Sequence, residues 1–423
     1  MLSMLSNPSG GRWRMDERDA QDGTAVGDAP TGLAGRGLVA PGGTAAAADL
    51  RGAHARDAQA PGAHARDAQA RAALAHRVEH VTAAAERLLV QAVEDRVRHG
   101  RDLAPEHGRL WSDLGSVLGG KLMRPRLTVT AYLGLGGTDV DAVAPVAAAQ
   151  EMLHTAMLVH DDLLDHDEVR RGRPNVAGVT RARLAAAGVT GTAQHEQAGA
   201  AALLAGDAAL AQAFALVAGA AVPAHLVGEL VRLLAAGVDT TVAGELLDVR
   251  AEVQALADVD TLLVAQLKTA AYSFRVPLES GAVLAGASRA HRIALALVGT
   301  ALGLAYQLTD DDLGVFGDPA ATGKSVLSDL RSGKRTELLR LTWARTGASG
   351  RAVLRAHVGL SDLDDAGAAR VRDVMRSCGA LDEARALTRR TAGIARTLAT
   401  TTLPEPLAGY LAGVVDDLVA RGH

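Results

Sequence analysis

Two clusters of aspartates in the sequence are placed where carboxylates could hold a metal ion. The first contains Asp161 and Asp165 and follows the apolar residues 152–159, and the second begins at Asp310 and also ends an apolar stretch. Residues four apart share one face of a helix, and like charges placed there are destabilising unless a cation lies between them. Carboxylate oxygens suit Mg²⁺, which takes further ligands from water and substrate phosphates. One acidic run alone is typical of a solvated helix end, but two predict opposed carboxylate walls at one mouth of a helical bundle.

Basic residues near glycine-rich breaks accompany the two clusters. They are Lys121, Arg124, Arg170, Arg171, Lys268, Lys324 and Lys334. Lysine and arginine bind phosphate oxygens, so both signs of charge together suit a diphosphate–Mg²⁺ cluster. Any one of these cations could be a solvated surface charge, but Lys121 and Arg124 fit that interpretation least because they lie between Leu118 and Leu127.

The elements that must position these side chains are helices. From Leu74 onward apolar residues recur at mostly helical spacing, and short breaks rich in Gly, Pro and Asp separate successive segments. No run of alternating β-branched residues is bounded by hairpin signals. Residues 74–423 are therefore predicted to form one all-α domain, a helical bundle around a central apolar cavity.

The first 73 residues differ from the rest in composition. Within them a ten-residue unit is repeated, GAHARDAQAP at 52–61 and GAHARDAQAR at 62–71. A unit without large apolar residues cannot bury a core, so we predict a disordered low-complexity extension over residues 1–73. His54 and His64 of the two copies are expected to be exposed residues and not metal ligands.

The overall composition excludes several classes of protein. The 44 Lys and Arg nearly balance the 48 Asp and Glu, and aromatic residues make up 2%, so a nucleic-acid partner is not expected. A single cysteine, Cys378, excludes a disulfide framework and a thiolate metal cluster. No uninterrupted apolar run of about 18 residues and no signal-peptide pattern is present, so we expect no membrane span and a cytoplasmic location.

With these motifs in order, residues 74–423 resemble the trans-isoprenyl diphosphate synthases of the polyprenyl synthetase family, and among them the geranylgeranyl diphosphate synthases. The motifs that carry the resemblance are Gly119-Gly120-Lys121 with Arg124-Pro125; Glu151 and His154; Asp161-Asp162 with Asp165; Arg170-Arg171-Gly172-Arg173-Pro174; Gly206-Asp207; Lys268-Thr269; Gln307 with Asp310-Asp311; and Lys324 with Gly333-Lys334-Arg335-Thr336. The resemblance implies the isoprenoid synthase fold, a homodimer, and an Mg²⁺-dependent enzyme that condenses isopentenyl diphosphate with an allylic diphosphate (dimethylallyl, geranyl or farnesyl) to an all-trans prenyl diphosphate.

The resemblance also implies roles for individual residues. The metal ligands would be Asp161 and Asp165 of the first motif and Asp310 and Asp311 of the second. The residues that would bind the diphosphate of isopentenyl diphosphate are Lys121, Arg124, His154 and Arg171. Those of the allylic diphosphate site would be Arg170, Lys268, Thr269, Gln307, Lys324 and Lys334. Catalysis would depend above all on Asp161, Asp165, Lys268 and Asp310.

Three positions depart from the family pattern. Leu122 stands where an arginine often follows the lysine of the Gly-Gly-Lys motif, and Glu245 stands where many relatives have glutamine. Gly314 stands where the second motif usually ends in aspartate, and Asp312 or Asp318 is the candidate to compensate.

Two rival functions are weighed against the synthase. A class I terpene cyclase would share the fold but lack an isopentenyl diphosphate site, which Lys121 and Arg124 argue against. A non-catalytic partner subunit of a prenyl synthase would lack one or both aspartate motifs, and this chain keeps both.

The length of the product would be set below the first aspartate motif. Ala156 and Met157 lie five and four residues before Asp161, and Leu153 and Met152 lie one helical turn further down. In the family, bulky aromatic residues at the first two positions stop growth at fifteen carbons. A small alanine and a flexible methionine leave that level open, so we expect geranylgeranyl diphosphate, with a longer polyprenyl diphosphate as the alternative.

Overall fold

A computed structural model describes residues 61–318 and 326–421 of the chain. Most of the predicted N-terminal extension, including the first repeat and His54, and the site residue Lys324 lie outside the described residues.

The described chain is almost entirely helical. The α-helices are α1 (Pro61–Leu103), α2 (Pro105–Val117), α3 (Met123–Gly134), α4 (Val140–Leu164), α5 (Val176–Ala186), α6 (Gly191–Ala218), α7 (Ala224–Ala251), α8 (Thr261–Val264), α9 (Val276–Leu284), α10 (Arg289–Phe316), α11 (Ser328–Ser332), α12 (Glu337–Arg345), α13 (Ala348–His357), α14 (Asp365–Ser377), α15 (Ala380–Thr402) and α16 (Leu407–Arg421). A π-helix (Ala265–Arg275) joins α8 to α9, and a 3-10 turn covers Leu256–Asp258. The strands β1 (Val169–Arg170) and β2 (Arg173–Pro174) pair antiparallel. The prediction of an all-α bundle is confirmed.

Helix α1 begins at Pro61 and includes the second repeat, so it starts before the domain boundary predicted at residue 74, which stays a prediction. The prediction treated the missing core residues as a sign of disorder. The repeat is nevertheless rich in Ala, Arg and Gln, which favour helix, and proline is accepted at a first helical position. The helix is then anchored by Leu74 and Val78, which are buried.

Helix α4 carries the first aspartate motif through the middle of the fold. Asp139 caps its N-terminus, and the Asp139 side chain accepts hydrogen bonds from the backbone N–H groups of Asp141 and Ala142. Residues 146–156 of α4 are all buried. Helix α6 packs along α4 and contributes fully buried alanines to the same apolar core. The burial of α4 fixes the position of the carboxylates at its end.

The π-helix is held between α7 and α10, and glycines on these two helices permit the close approach. A Cβ at Gly244 of α7 would lie 2.7 Å from the Cα of Lys268, and one at Gly303 of α10 would lie 2.6 Å from the Cα of Ala270. Such separations are too short for a larger residue at either position. The π-helix is therefore fixed against the helix that carries Glu245 and the helix that carries the second aspartate motif.

Three helices of the described chain, α4, α6 and α10, are long and apolar enough to cross a membrane if length and composition alone are considered. In the folded protein 83% of the most apolar window of α4 is buried, against 61% for α10 and 44% for α6. The expectation that the chain has no membrane span stays a prediction.

Candidate active site

The first aspartate motif lies at the carboxyl end of α4, where two cations meet Asp161. Its carboxylate lies 2.9 Å from Nζ of Lys268 and 3.1 Å from Nη2 of Arg170. Burial would raise the pKa of Asp161, but the positive charges of Lys268 and Arg170 lower it below its usual value. Arg170 also donates from Nε to buried Asp162 at 2.7 Å. Asp161 is therefore an ionised carboxylate, and Arg170 binds both acids of the motif, Asp161 and Asp162.

Asp165 caps α4 one turn beyond Asp161. Solvent still reaches its side chain, but the surrounding protein and then the charge of Asp161 raise the pKa of Asp165 to about 7. The charges of Lys268 and Lys334 act in the opposite direction. Two acids that resist ionising together form a position where a bound cation is favourable.

Lys268, on the π-helix, joins the first motif to α7. Its Nζ lies 2.7 Å from Asp248 and 3.0 Å from Glu245, in addition to Asp161. Burial would lower the pKa of Lys268, but the three carboxylates raise it, so the lysine stays charged. The unusual Glu245 is thus a direct partner of Lys268, and burial raises its pKa.

The second motif forms the opposite side of the site, on α10. Oγ1 of Thr269 donates to Oε1 of Gln307 at 2.8 Å, and Nε2 of Gln307 donates to Oδ1 of Asp311 at 2.8 Å. Lys334 lies 3.8 Å from the same Asp311 oxygen. Burial, which the charge of Lys334 only partly offsets, raises the pKa of Asp311 to about 7. Asp310, beside it, is half-buried.

The two sides share one electrostatic environment. The charge of Lys334 favours the ionised forms of both Asp161 and Asp165. The pKa of Lys334 itself is raised by Asp329, Asp311 of α10 and Asp248 of α7, although burial opposes this. The structure thus brings the two predicted carboxylate clusters together around Lys268 and Lys334.

A second group of cations lies beside α4, next to the aspartates. Arg124 of α3 donates to Oγ of Ser273 from Nη2 at 2.8 Å and lies over the ring of Tyr272 at 5.2 Å. Nδ1 of His154 lies 3.2 Å from the hydroxyl of Tyr272. Burial first, and then the charges of Arg124 and Arg171, hold the pKa of His154 well below its usual 6.5. His154 is therefore a neutral imidazole that can hydrogen-bond a phosphate oxygen.

The Gly-Gly-Lys motif is a turn that receives Arg171. The backbone at Gly119 and Gly120 has φ of 101° and 128°, which glycine adopts without strain. The Arg171 guanidinium donates to the carbonyl of Gly119 and lies 3.0 Å from the place of a Cβ at Gly120. Lys121, on the same turn, is exposed. The predicted residues of one diphosphate site, which are far apart in sequence, are brought together here.

The proposed metal ligands have the oxygen donors that Mg²⁺ prefers, but they do not surround an ion completely. Oxygen donors from two facing motifs are the right chemistry, and both motifs contain an acid whose pKa is raised to about 7. Among residues 61–318 and 326–421, no three Asp, Glu, His or Cys side chains converge to enclose a metal by themselves. This suits an ion that takes most of its ligands from water and from a diphosphate substrate.

Asp312 does not compensate for Gly314. Its buried carboxylate faces Arg385 of α15, with Oδ2 at 2.7 Å and Oδ1 at 3.3 Å from the guanidinium. A residue two positions before Gly314 projects from a different side of the helix, which explains why Asp312 points away from the site.

Several residues of the site were missed by the sequence analysis. Tyr272, Ser273 and Asp248 hold the predicted cations in place but were not predicted as site residues. Their spacing in the sequence could have indicated them, because residues three or four apart share one face of a helix. Tyr272 lies four residues after Lys268, and Asp248 lies three residues after Glu245.

The predicted product-length residues lie on α4 below Asp161. Ala156, Leu153 and Met152 are completely or almost completely buried, and Met157 is partly buried against the same core. No aromatic residue occupies these positions.

Comparison with known proteins assigns the family. The profile of the polyprenyl synthetase family matches residues 114–375, well over half of the chain. The chain belongs to the polyprenyl synthetase family. The match includes both aspartate motifs, the π-helix and the Gly-Gly-Lys turn.

Two members of this family from Mycobacterium tuberculosis illustrate the range of similarity. A (2E,6E)-farnesyl diphosphate synthase is 38% identical over 233 residues, which are 55% of this chain and 59% of the relative. A geranylgeranyl diphosphate synthase is 35% identical over 263 residues, 61% of this chain and 69% of the relative. The chain thus spans less than two thirds of the length of the farnesyl synthase.

The fold is also shared with solved structures of the family. The geranylgeranyl pyrophosphate synthase of Corynebacterium glutamicum, solved with isoprenyl diphosphate and magnesium, superposes with a TM-score of 0.75 at 28% identity. The superposition covers 81% of this chain and 98% of that one. The predicted isoprenoid synthase fold is confirmed.

Proposed function

We propose that the protein is a trans-prenyl diphosphate synthase that joins isopentenyl diphosphate to an allylic diphosphate. The observation that carries the proposal is the pair of aspartate motifs facing each other around Lys268 and Lys334, with a second cationic site beside them. One cationic site next to the aspartate motifs and a second one around Arg124, Arg171 and His154 suit two different diphosphate substrates.

The residues have distinct roles in this reaction. Magnesium, when bound by Asp161, Asp165, Asp310 and Asp311, would neutralise the diphosphate leaving group of the allylic substrate. Lys268, Lys334 and Arg170 bind the oxygens of that diphosphate and stabilise its charge as it departs. Lys324, by its sequence motif, belongs to the same group. Thr269 and Gln307 hold the π-helix to α10, so that the cations stay beside the aspartates.

The second cationic site binds and orients isopentenyl diphosphate. Arg124 and Arg171, together with Lys121 from the turn, pair with the diphosphate, and neutral His154 contributes a hydrogen bond. The carbon–carbon bond forms when the double bond of this substrate attacks the allylic cation, and the new cation then loses a proton to the released diphosphate, which restores a double bond. The apolar residues of α4 and α6 keep out water, which would otherwise capture the cation.

The main product is proposed to be geranylgeranyl diphosphate. Ala156 supports this, since its side chain one turn below the aspartates is small and not aromatic, while the larger Leu153 and Met152 are buried at the next level. Relatives include synthases for farnesyl, geranylfarnesyl and geranylgeranyl diphosphate, so the relatives themselves do not fix the length. A longer polyprenyl product is the alternative.

Turnover tests the proposal directly. Purified protein is incubated with Mg²⁺, labelled isopentenyl diphosphate and each allylic primer, and the dephosphorylated products are sized by chromatography. A dominant twenty-carbon product is expected. A dominant product of fifteen or of thirty or more carbons would overturn the product assignment alone. No condensation with any primer would favour the non-catalytic subunit.

We further propose that the enzyme acts as a homodimer in the cytoplasm. Support for the dimer comes from the exposed apolar surface of α6 and α7, where Leu204 and Leu246 are 58% and 66% exposed. Large exposed apolar residues at regular positions on a helix are typical of an interface.

A further inference from the structure

Gly314 lies in α10, on the turn that follows the second aspartate motif, and the space beside it is filled by another residue. The Cγ atom of Asp329 lies 2.9 Å from the position that a Cβ would take at Gly314, and its Oδ2 lies closer still. A side chain at position 314 and the carboxyl group of Asp329 therefore cannot occupy the same space. The carboxyl group of Asp329 therefore lies close to the place that the side chain of an aspartate at position 314 would occupy.

Asp329 reaches this place from a different element. It lies in α11, fifteen residues further along the chain, and its side chain is half-buried. The carbonyl of Asp329 accepts a hydrogen bond from the backbone N–H of Lys334 at 3.1 Å, which fixes the spacing of the two residues.

The carboxylate of Asp329 also acts on the site. Among the charged neighbours of Lys334, Asp329 has the largest effect on its pKa, ahead of Asp311. Asp329 likewise disfavours ionisation of Asp311. Both effects agree with the position of the Asp329 carboxyl group beside Gly314 of α10.

We propose that Asp329 supplies, from α11, the carboxylate that the second metal-binding motif lacks at Gly314. The two positions form a matched pair, since glycine at 314 provides the space that Asp329 fills. The inference rests on the proposed Mg²⁺ and diphosphate site. Asp329 takes the compensating role that the sequence suggested for Asp312, which is paired with Arg385 instead.

The test measures metal binding without turnover. The melting temperature of the protein is followed in inorganic pyrophosphate as Mg²⁺ is added, and the Mg²⁺ concentration for half of the temperature rise is compared between variants. Asp329→Asn keeps the size of the side chain and removes its charge. It should raise that concentration about tenfold or more, a typical result for removing a residue that supports a metal site.

Two further variants separate charge from space. Gly314→Ala leaves every carboxylate in place but fills the space that Asp329 uses, so it should raise the required Mg²⁺ concentration as well. The swap G314D/D329A should bring the concentration back towards that of the unmodified protein. The controls are Asp373→Asn, an exposed aspartate of α14, and Gly393→Ala, a helical glycine with open space around it, which should change nothing.

The outcomes separate this inference from the proposed function. An unchanged Mg²⁺ requirement in both Asp329→Asn and Gly314→Ala, while Asp161→Asn loses the temperature rise, would overturn the role of Asp329 and leave the synthase intact. Failure of the swap to restore binding would equally overturn the matched pair. Absence of any Mg²⁺-dependent rise in the unmodified protein would overturn both.

Discussion

Lys268 forms ion pairs with three carboxylates of the candidate active site. It contacts Asp161, Glu245 and Asp248, which come from two helices. The lysine offsets part of the negative charge of these acids, and a bound cation would compete with it for Asp161. The arrangement directs carboxylates from α4 and α7 towards one point.

Removing a single metal-facing carboxylate should nearly abolish turnover. Asp161→Asn takes away the ionised acid shared by Lys268 and Arg170, and we expect kcat to fall about 10²-fold or more because the charge of the departing diphosphate is no longer stabilised. Asp310→Asn should act similarly. Steady-state rates with saturating substrates and Mg²⁺ measure this, and near-normal turnover of Asp310→Asn would exclude the second motif as a metal site.

The neutral state of His154 predicts a pH dependence of stability. In the unfolded chain His154 takes up a proton near its usual pKa of 6.5, whereas in the fold its pKa is far lower. Its contribution to stability is therefore present above pH 6.5 and is lost as the pH falls. Between pH 7.5 and pH 5.5 the unfolded chain takes up a proton at His154 more readily than the folded protein does, so stability falls over this range.

His154→Gln should remove this part of the pH dependence. Denaturant midpoints at pH 7.5 and 5.5, in metal-free buffer, should differ less for His154→Gln than for the unmodified protein. His99→Gln, at an exposed position on α1, serves as the control. Equal pH dependence in all three proteins would show that His154 is protonated in the fold.

At this scale the sequence predicted the residues whose chemistry is visible in their spacing. Asp161 and Asp165 are four residues apart, and that spacing already places them on one face of a helix. Ser273 could not be predicted as a partner of Arg124, because the contact depends on the register of a π-helix. Asp329 was missed because only the fold brings it to Gly314.

At the scale of elements, α1 shows the difference between helix formation and core formation. The repeat unit favours helix, but Leu74 is the first buried side chain of the described residues. The boundary predicted at residue 74 marks where core residues begin, because the prediction equated composition without large apolar residues with disorder. The rest of the helical pattern was predictable because each helix has a buried face.

Truncation tests which part of α1 the fold needs. A chain beginning at Ala70 should stay soluble and active, because it keeps every buried residue of α1. A chain beginning at Thr82 loses Leu74, Val78 and Val81, which are buried, and each such side chain contributes about 1.5–3 kcal/mol. We expect a clearly lower melting temperature or insoluble protein. Equal melting temperatures for the two chains would contradict this account of α1.

Helix α4 should also determine product length. Ala156→Phe places a large ring one turn below Asp161, and the product should shorten towards fifteen carbons. The substitution occurs in a packed core, so a stability cost of about 1–3 kcal/mol is expected as well. Ala156→Val, with a smaller side chain, should shift the product distribution less. An unchanged distribution in Ala156→Phe, measured by chromatography, would place the growing chain elsewhere.

At the scale of the whole molecule, α7 carries an apolar stripe on its outer surface. Val242, Leu246 and Val249 are 48%, 66% and 43% exposed and are spaced by four and three residues. This is the spacing of a seam between two helices. We propose a second copy of the chain as the partner of this stripe, because a twofold axis would let one stripe cover another.

The stripe predicts the effect of a charge on assembly. Leu246→Glu should convert the dimer to a monomer in light scattering coupled to gel filtration, because it places a charge within an apolar seam. Val90→Glu, at an isolated exposed valine on α1, should leave the dimer unchanged. A monomeric unmodified protein, or a dimeric Leu246→Glu variant, would contradict the assignment of this surface.

The π-helix between α8 and α9 has an evolutionary consequence. Lys268 faces the aspartates of α4, and Ser273, five residues later, binds Arg124 of the other diphosphate site. Because a π-helix closes its hydrogen bonds over one more residue than an α-helix, insertions and deletions here change which residues align. Deleting a single residue between Lys268 and Ser273 would turn the two halves of the helix relative to each other by about a quarter turn or more. The two proposed substrate sites would then lose their common alignment, so a change in the length of this short segment would separate them.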